Sequence, residues 1–436
     1  MASLKKQALI LTLANAYTRA LGFVLRLTTA RMMGAQALGL MELSSSAVML
    51  AITPVTAGVP TAMSRLAAQK DADAPAVLRA GLSLIRRLTL VLAPAMLLLS
   101  PAIAWVLGDM RTLPSLLASV PLIGLLGICA VYSGYFYGRD DAATPALSEC
   151  AEQTVRCALA FGLLSLFARQ SDALTAALPN VAEVAAGVAV WMIFLRKAPR
   201  LSGAKPDAAL RREITRLTAP TTGARLCQTA LRALNAVLLP VCLRRSGLSA
   251  EAATAQFGLL NGMCMPLLML PGIVTGAICM VATPAVSRQE HQPTRLRRTM
   301  RQLLGSAGAI GAITAAALFL GAEFISLRLY REAALAPLLK LMAPTALLAA
   351  VQQVQFGLIT GLGVQNKALT GTVIASFLSL GVTALLCPLS GVRLYGAGIA
   401  TLAATLLRVI WNALVLRHAR SIPADFAPCS ASAGPL

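Results

Sequence analysis

The chain has 436 residues, of which 57% are hydrophobic and only 13% are charged. This composition is too apolar for a soluble protein and is typical of a polytopic membrane protein. The net charge of +21 does not indicate a nucleic-acid partner, because no basic face on a soluble domain and no aromatic and basic motif accompanies it.

The nine cysteines and two histidines predict neither a disulfide framework nor a metal site. The sequence has no Cys-x-x-Cys pair, every cysteine except Cys429 lies in or beside an apolar run, and both histidines lie in polar loops. Such cysteines are usually small, buried and reduced. Since there is also no Ser/His/Asp set and no Walker loop, we expect neither an enzyme nor a bound cofactor.

Cutting the chain into runs of about 20 mostly apolar residues predicts an all-α membrane protein with about twelve transmembrane helices. The N-terminal run carries arginines and lacks a small-residue cleavage site, so we predict a retained first helix and not a signal peptide. An even number of spans places both termini on the same side. The predicted spans are 8–30, 41–63, 88–108, 115–137, 147–168, 174–195, 217–242, 256–282, 302–327, 336–358, 368–388 and 395–416.

The distribution of basic residues in the loops predicts the orientation of the chain. Loops on the side of the termini carry 23 lysines and arginines, and the opposite loops carry 8. Because cytoplasmic loops are enriched in basic residues, both termini are predicted to be cytoplasmic.

A long basic loop near the middle of the chain predicts two halves. We expect six-helix lobes at 1–195 and 217–417, joined by a cytoplasmic linker at 196–216 whose basic residues lie against anionic headgroups, with a disordered tail at 418–436. A shift of 223 residues supports pseudo-symmetric lobes, because it maps Gly39 onto Gly262, Ser64 and Arg65 onto Ser287 and Arg288, and Gly134 and Gly138 onto Gly357 and Gly361. Parallel repeats of this kind bind substrate between them near the midplane and alternate access by rocking.

Two pairs of arginines lie inside predicted spans. Arg19 and Arg26 are seven residues apart in the first span, and Arg225 and Arg232 repeat this spacing in the seventh. Seven residues are about two helical turns, so each pair shares a face. Four converging guanidinium groups would bind a phosphate or pyrophosphate headgroup. The alternative is that these arginines extend to the membrane interface without a ligand.

Three further charged residues in spans could couple transport to an ion. Glu152 and Arg156 have the i,i+4 spacing of an ion pair, which would let both charges sit inside the bundle. Alternatively, Glu152 or Glu183 takes up a proton or a cation.

Glycine and proline predict helix breaks at corresponding places in the two halves. Gly58 and Pro60 lie at the end of the second span, and Pro266 and Pro271 lie in the eighth. We interpret these four residues as candidate hinges, with ordinary kinks as the alternative. The spacing of Gly134 and Gly138 is typical of close helix packing.

Several short motifs in order resemble the stage V sporulation protein B family, polysaccharide-biosynthesis-type flippases of the multidrug/oligosaccharidyl-lipid/polysaccharide (MOP) superfamily. The resemblance is good over 8–160 and mostly positional over 217–415. The motifs are TRALGF at 18–23, MGAQALGL at 33–40, GVPTAMSR at 58–65, GYFYG at 134–138 and EQTVR at 152–156.

The resemblance implies two lobes around a central cavity in a bacterial cytoplasmic membrane. It implies flipping of an undecaprenyl-pyrophosphate-linked, lipid II-like oligosaccharide for peptidoglycan, spore-cortex or polysaccharide synthesis, alongside membrane lipids and cell-wall synthesis proteins. In related lipid II flippases, arginines of the first helices serve the pyrophosphate, and Arg19, Arg26 and Arg225 match their positions. Many relatives add two helices after the twelfth, associated with a lipid-tail groove, whereas this sequence continues into a short polar tail.

Two other functions are compatible with the sequence. One is a MATE-type antiporter for multidrug or cationic compounds, although a cation cavity should be rich in carboxylates and aromatic residues. The other is a membrane scaffold in a cell-wall assembly complex, which would tolerate loss of every intramembrane arginine.

Overall fold

The computed structural model describes residues 2–69, 73–167, 171–199, 208–289 and 292–421. These residues form α-helices with short 3₁₀ and π turns and contain no β-strand, which confirms the all-α prediction. The helices are α1 Ala2–Thr56, α2 Val59–Ala67, α3 Ala74–Leu107, α4 Leu113–Gly138, α5 Ala143–Phe167, α6 Asp172–Lys197, α7 Ala208–Arg245, α8 Ala250–Gly258, α9 Met265–Leu268, α10 Pro271–Arg288, α11 Pro293–Leu320, α12 Ala322–Phe324, α13 Leu335–Gly361, α14 Gln365–Leu386 and α15 Leu394–Ser421.

Helix α1 is two helices joined at a break. Gly34 has φ 73° and ψ 175°, which no helix interior permits and which only glycine adopts without strain. The combined length of 55 residues would be about 83 Å in a straight helix, far more than the roughly 30 Å of a bilayer core. The break therefore divides α1 into two shorter helices, and whether each of them crosses the membrane stays a prediction.

The chain is a multi-pass membrane protein. Among the described residues, ten helices are long and apolar enough to cross a membrane, or eleven if the bent pair Ala250–Leu268 and Pro271–Cys279 forms one span. The first of the ten, Ile10–Ala67, contains the Gly34 break and is long enough to cross twice. The predicted number of twelve therefore stays a prediction.

The chain forms two compact units. The first comprises Met1–Pro266, Glu323–Leu338 and Val382–Ala397, and the second comprises Leu267–Ala322, Leu339–Gly381 and Gly398–Leu436. These boundaries describe packing, and the two six-helix lobes remain a prediction from the sequence. Helix α7 already begins at Ala208 and α15 continues to Ser421, so helical structure enters both the predicted linker and the predicted tail. Residues 200–207 and 422–436 of those segments lie outside the described residues.

The glycine pair in α4 permits close packing against α2, as predicted. A Cβ atom at Gly134 would lie 2.5 Å from the carbonyl oxygen of Pro60, and one at Gly138 would lie 2.5 Å from that of Ser64. No side chain fits at either distance.

The second unit repeats this packing with its own glycine pair. In α13, a Cβ atom at Gly361 would lie 2.6 Å from the carbonyl oxygen of Thr283, and one at Gly357 would collide with Cys279, both in α10. The 223-residue shift maps Ser64, which lies against Gly138, onto Ser287. Gly361 instead lies against Thr283, which is four residues or about one helical turn earlier. Each unit therefore contains a helix contact made at a glycine pair, but the second contact does not follow the register of the sequence repeat.

Candidate functional site

The first two candidate arginines lie on the face of α1 that points away from α5. The opposite face packs on α5 and α6, where the Tyr17 hydroxyl lies 2.8 Å from Thr154 Oγ1 and Leu25 packs with Ala160 and Ala182. At about 100° per residue, Arg19 and Arg26 are roughly 20° apart and lie about 150° from this contact. Both side chains are exposed. The first half of α1 therefore has a packed face and a cationic face, as the spacing predicted.

Arg26 has a partner on the other side of the Gly34 break. Its Nη1 atom lies 3.8 Å from Oε1 of Glu42, and the two side chains are 53% and 18% exposed. The charge of Arg26 also acts on the buried hydroxyl of Tyr330: burial raises the pKa of Tyr330 to about 12, and the guanidinium acts against that shift. Arg26 thus lies among polar groups and not against apolar side chains alone.

The other two candidate arginines lie beside the contact between α7 and the second half of α1. Thr229 Oγ1 lies 3.2 Å from Thr53 Oγ1 and donates a hydrogen bond of 2.9 Å to the carbonyl oxygen of Arg225. Arg225 and Arg232 are exposed and lie roughly 40–60° around the helix from Thr229. They therefore flank the surface that α7 turns towards α1. Convergence of all four guanidinium groups stays a prediction.

The close approach of α7 to α1 depends on a candidate hinge residue. Gly58 is the N-cap residue of α2, and a Cβ atom there would lie 2.8 Å from the carbonyl oxygen of Thr218 in α7. Pro60 occupies the first turn of α2, where its missing N–H costs nothing. The second candidate pair also coincides with a break, because α9 contains Pro266 and α10 begins at Pro271. Gly58, Pro60 and Pro271 lie at helix starts, and Pro266 lies in α9 just before the bend, whereas movement about these residues stays a prediction.

The charged residues of α5 and α6 form a cluster with a different pairing from the one predicted. Nη2 of Arg156 lies 3.1 Å from Oε2 of Glu183, across the α5–α6 interface, and the two side chains are 32% and 17% exposed. The i,i+4 spacing had favoured Glu152 as the partner. Glu152 instead lies in the electrostatic range of Arg156, Glu183 and Glu149. Because α5 and α6 pack closely, a carboxylate on the neighbouring helix reaches the guanidinium.

Sequence reasoning missed a buried polar network between α1, α4 and α6. Asn180 Nδ2 donates to Oγ of Ser115 at 2.7 Å and to its carbonyl oxygen at 3.0 Å, and Ser44 Oγ donates to Ser115 Oγ at 2.7 Å. A lone asparagine within an apolar span was the available signal, since a buried amide needs partners. The network joins three helices of the first unit.

A second missed network lies where α3, α4 and α8 meet. Asp109 accepts hydrogen bonds from Arg111 Nη2 at 2.8 Å, from Arg111 Nε at 3.0 Å and from Thr254 Oγ1 at 3.0 Å. Arg111 also pairs with Glu251 at 3.2 Å. Burial raises the pKa of Asp109, but the hydrogen bonds and charge of Arg111 outweigh it and hold that pKa below its usual value. Asp109 therefore stays ionised and fastens the turn before α4 to α8.

The described part of the chain holds no cluster of three or more His, Cys, Asp or Glu side chains with the spacing of a metal centre. The charged groups that the structure brings together are instead guanidinium and carboxylate pairs. Such an arrangement can bind an anionic headgroup or exchange a proton.

Comparison with known protein sequences identifies relatives over most of the chain. The family described as "Polysaccharide biosynthesis protein" matches residues 4–290. Over 430 residues the chain is 29% identical to stage V sporulation protein B of Bacillus subtilis (strain 168), and the match covers 94% of this chain and 82% of that protein.

Two solved structures share the fold. One is an inward-facing multidrug resistance MATE family transporter of the MOP superfamily, with a TM-score of 0.72, 16% identity, and coverage of 93% of this chain and 96% of that one. The other is the lipid II flippase MurJ in an inward closed conformation, with a TM-score of 0.74, 11% identity, and coverage of 94% and 87%. At these identities the similarity describes the fold alone.

Proposed function

Because this chain belongs to the polysaccharide biosynthesis protein family and has the fold of MOP superfamily transporters, we propose that it is a flippase for a lipid-linked oligosaccharide. The substrate class is an undecaprenyl-pyrophosphate-linked, lipid II-like saccharide used in peptidoglycan, spore-cortex or polysaccharide synthesis. The protein would act in the bacterial cytoplasmic membrane with both termini in the cytoplasm, as the 23 to 8 bias of basic loop residues favours.

The observation that carries this proposal is the cationic face of α1. Arg19 and Arg26 are exposed on the side away from α5, and Glu42, which pairs with Arg26, is 3.8 Å away. A guanidinium inside a membrane-spanning helix is costly unless it faces a wet cavity or a counter-ion. An exposed arginine pair with a loosely held counter-ion suits a pyrophosphate, whose oxygens accept bidentate hydrogen bonds.

We assign the second arginine pair to the same ligand. Arg225 and Arg232 flank the surface of α7 that packs on α1. In the proposed mechanism the two six-helix lobes rock about the breaks at Gly58, Pro60, Pro266 and Pro271, and the headgroup passes between them while its lipid tail stays in the bilayer.

The cluster on α5 and α6 is the proposed coupling element. Glu183 is paired with Arg156 at 3.1 Å, and Glu152 interacts electrostatically with both of these residues. A proton or sodium ion taken up by Glu152 or Glu183 would weaken that pair and change the packing of α5 on α6. Translocation would then depend on an ion gradient.

The same cluster favours one alternative, a MATE-type antiporter for cationic compounds. Glu152 and Glu183 lie near Arg156, and Glu149 lies within the electrostatic range of Glu152, so three carboxylates lie close together. Against this stands the basic balance of α1 and α7, which carry the four candidate arginines, together with an aromatic content of only 5%. A cationic substrate would be repelled where an anionic one is attracted.

The test is translocation by the purified full chain in liposomes, with lipid II as the probe in one arm and a cationic dye in the other. We expect lipid II flipping by the wild type, and a fall of about tenfold or more in the Arg19→Ala and Arg232→Ala variants, as for loss of a charge-assisted contact. The matched control is Arg212→Ala, because Arg212 is exposed on α7 but lies outside the predicted span.

Each result separates the candidate functions. Unchanged flipping in both span variants removes the arginine site. Gradient-dependent transport of the dye without lipid II flipping identifies the antiporter. Equal thermal stability of the variants and the wild type excludes misfolding as the cause of a loss.

A further inference from the structure

A second polar site lies away from the proposed headgroup arginines, where the C-terminal ends of α3 and α7 meet. A cavity of about 450 Å³ opens there, lined by Trp105, Val106, Gly108, Asp109, Met110 and Arg244. In the predicted topology this is the side of the membrane opposite the termini. Neither the proposed transport cycle nor the similarity to relatives assigns it a role.

The guanidinium of Arg244 is held in a fixed position at this cavity. Its Nη1 atom donates a hydrogen bond of 3.3 Å to the carbonyl oxygen of Gly108. Gly108 has φ 81°, which favours glycine, and the guanidinium of Arg244 lies directly against the place where a Cβ atom would be. Arginine has five N–H donors in a planar fork. The bond to Gly108 leaves most of this fork for a ligand.

The one carboxylate that lines the cavity is already neutralised. Asp109 is held by Arg111 at 2.8 Å and 3.0 Å and by Thr254 at 3.0 Å. Among the ion pairs between described residues in this region, Asp109 and Glu251 both pair with Arg111, and none includes Arg244. Arg244 is therefore the guanidinium at the cavity that no carboxylate of these pairs occupies.

The apolar rim of the cavity continues along the exposed face of α3. Trp105 is 75% exposed, and the large apolar side chains exposed on the same helix are Leu90, Val91, Leu97, Leu98, Leu99 and Val106. Tryptophan is enriched at the level of the lipid headgroups. A bound molecule with acyl chains could place them along α3 while its polar group reaches Arg244.

We propose that this cavity binds an anionic phospholipid, with the phosphate of its headgroup on Arg244 and its acyl chains along α3 beside Trp105. Two features select this occupant: the guanidinium of Arg244 is outside the ion pairs and can bind a phosphate oxygen, and the adjoining exposed face of α3 can accept acyl chains. A pyrophosphate would need the two arginine pairs of α1 and α7. The site is thus a lipid site separate from the path of the translocated substrate.

The first experiment measures lipid binding to the purified full chain. Phosphatidylglycerol is titrated against the wild type in phosphatidylcholine nanodiscs, and thermal unfolding is followed. We expect phosphatidylglycerol to raise the unfolding temperature of the wild type, and the apparent Kd to rise about tenfold in Arg244→Gln. Arg245→Gln is the matched control, because it removes the same charge from the next residue, which does not line the cavity.

The outcomes decide the proposal. The proposal is supported if stabilisation by phosphatidylglycerol is lost in Arg244→Gln and kept in Arg245→Gln. Partial stabilisation of Arg244→Lys would show that the positive charge contributes to lipid binding and that the planar donor geometry of arginine contributes as well. Equal responses of both glutamine variants, or no effect of phosphatidylglycerol on the wild type, overturn it. A response to undecaprenyl pyrophosphate and not to phosphatidylglycerol also overturns it, by assigning the site to the transported lipid.

A second measurement does not depend on the folding of an Arg244 variant. Brominated phosphatidylglycerol should quench the fluorescence of the wild type more strongly than brominated phosphatidylcholine at equal mole fraction. The difference should disappear in Trp105→Phe, which removes the tryptophan at the rim. Equal quenching by the two lipids contradicts the site.

Discussion

Arg26 and Glu42 form an ion pair across the break in α1, with Arg26 Nη1 3.8 Å from Glu42 Oε1. Sixteen residues of straight helix would hold them about 24 Å apart. The pair exists because α1 is kinked at Gly34, where φ is 73°. The kink therefore gives a cationic residue of the proposed headgroup site an intramolecular counter-ion.

Removing this counter-ion should strengthen binding of the proposed substrate headgroup. In Glu42→Gln, Arg26 loses its competing carboxylate and the site loses a negative charge that repels phosphate. Since Arg26 is 53% exposed, the pair is worth less than about 1 kcal/mol, and we expect affinity for undecaprenyl pyrophosphate to rise by up to about fivefold. Equilibrium binding in detergent measures this. Glu213→Gln, on the exposed surface of α7, is the control and should leave affinity unchanged. Weaker binding of undecaprenyl pyrophosphate to Glu42→Gln would contradict the idea that Glu42 competes with the phosphate for Arg26.

The Arg156 and Glu183 pair should contribute measurably to stability. Arg156→Ala removes the partner of Glu183, whose side chain is only 17% exposed in the wild type. We expect the free energy of unfolding to fall by about 1–3 kcal/mol. This loss is smaller than for a fully buried pair, because Arg156 is 32% exposed. A double-mutant cycle with Glu183→Gln measures the coupling energy.

Replacement of Glu152 provides the comparison for that cycle. Glu152→Gln should couple to Arg156 less strongly than Glu183→Gln does, because the ion pair is made by Glu183. If Glu152 shows the larger coupling energy, the pairing predicted from the i,i+4 spacing is the relevant one.

The glycine contact between α4 and α2 should not tolerate a methyl group. In Gly138→Ala the new Cβ atom would lie 2.5 Å from the carbonyl oxygen of Ser64, so α4 must move away from α2, at an expected cost of about 1–3 kcal/mol. Gly162→Ala is the matched control, because nothing lies within 4 Å of its Cβ position on α5. Alanine should be neutral there or stabilise the helix by up to about 1 kcal/mol. Thermal unfolding in detergent distinguishes the two, and equal effects would refute the packing argument.

The sequence predicted features that depend on residues close together along the chain. The period of the apolar runs predicted the helices, the spacing of Arg19 and Arg26 predicted their shared face, and the Gly134 and Gly138 spacing predicted close packing. Each follows from the fixed geometry of a helix. The breaks at Gly58 and Pro60 were equally visible, because proline and glycine act on the local backbone.

The pairings between helices were not accessible in the same way. Glu183 was identified as a charged residue in a span, but its contact with Arg156 depends on how α5 and α6 pack. The contacts of Asn180 with Ser115 and of Asp109 with Thr254 depend in the same way on tertiary structure. The sequence contains several residues that could pair with each of these side chains equally well. The packing of the helices determines which of them is close enough to do so.

Asp109 makes the free energy of unfolding depend on pH under acidic conditions. Its pKa in the folded protein lies below the usual 3.8, because the bonds and charge of Arg111 outweigh the opposing effect of burial. A carboxyl group whose pKa is lowered by folding contributes its full stabilisation above the unfolded pKa, and this is lost as the pH falls through the folded pKa. We therefore expect the wild type to lose stability below about pH 4.

The variant Asp109→Asn isolates this contribution. At pH 7 it leaves Arg111 with only the exposed carboxylate of Glu251, and we expect a loss of about 1–3 kcal/mol in the free energy of unfolding. Between about pH 4 and pH 2 the difference from the wild type should shrink, because protonated Asp109 no longer holds Arg111 either. Glu251→Gln is the control: its carboxylate is 69% exposed, so loss of its bond to Arg111 should cost less than about 1 kcal/mol. A difference between wild type and Asp109→Asn that is constant from pH 7 to pH 2 would mean that the ionised carboxylate does not stabilise this turn.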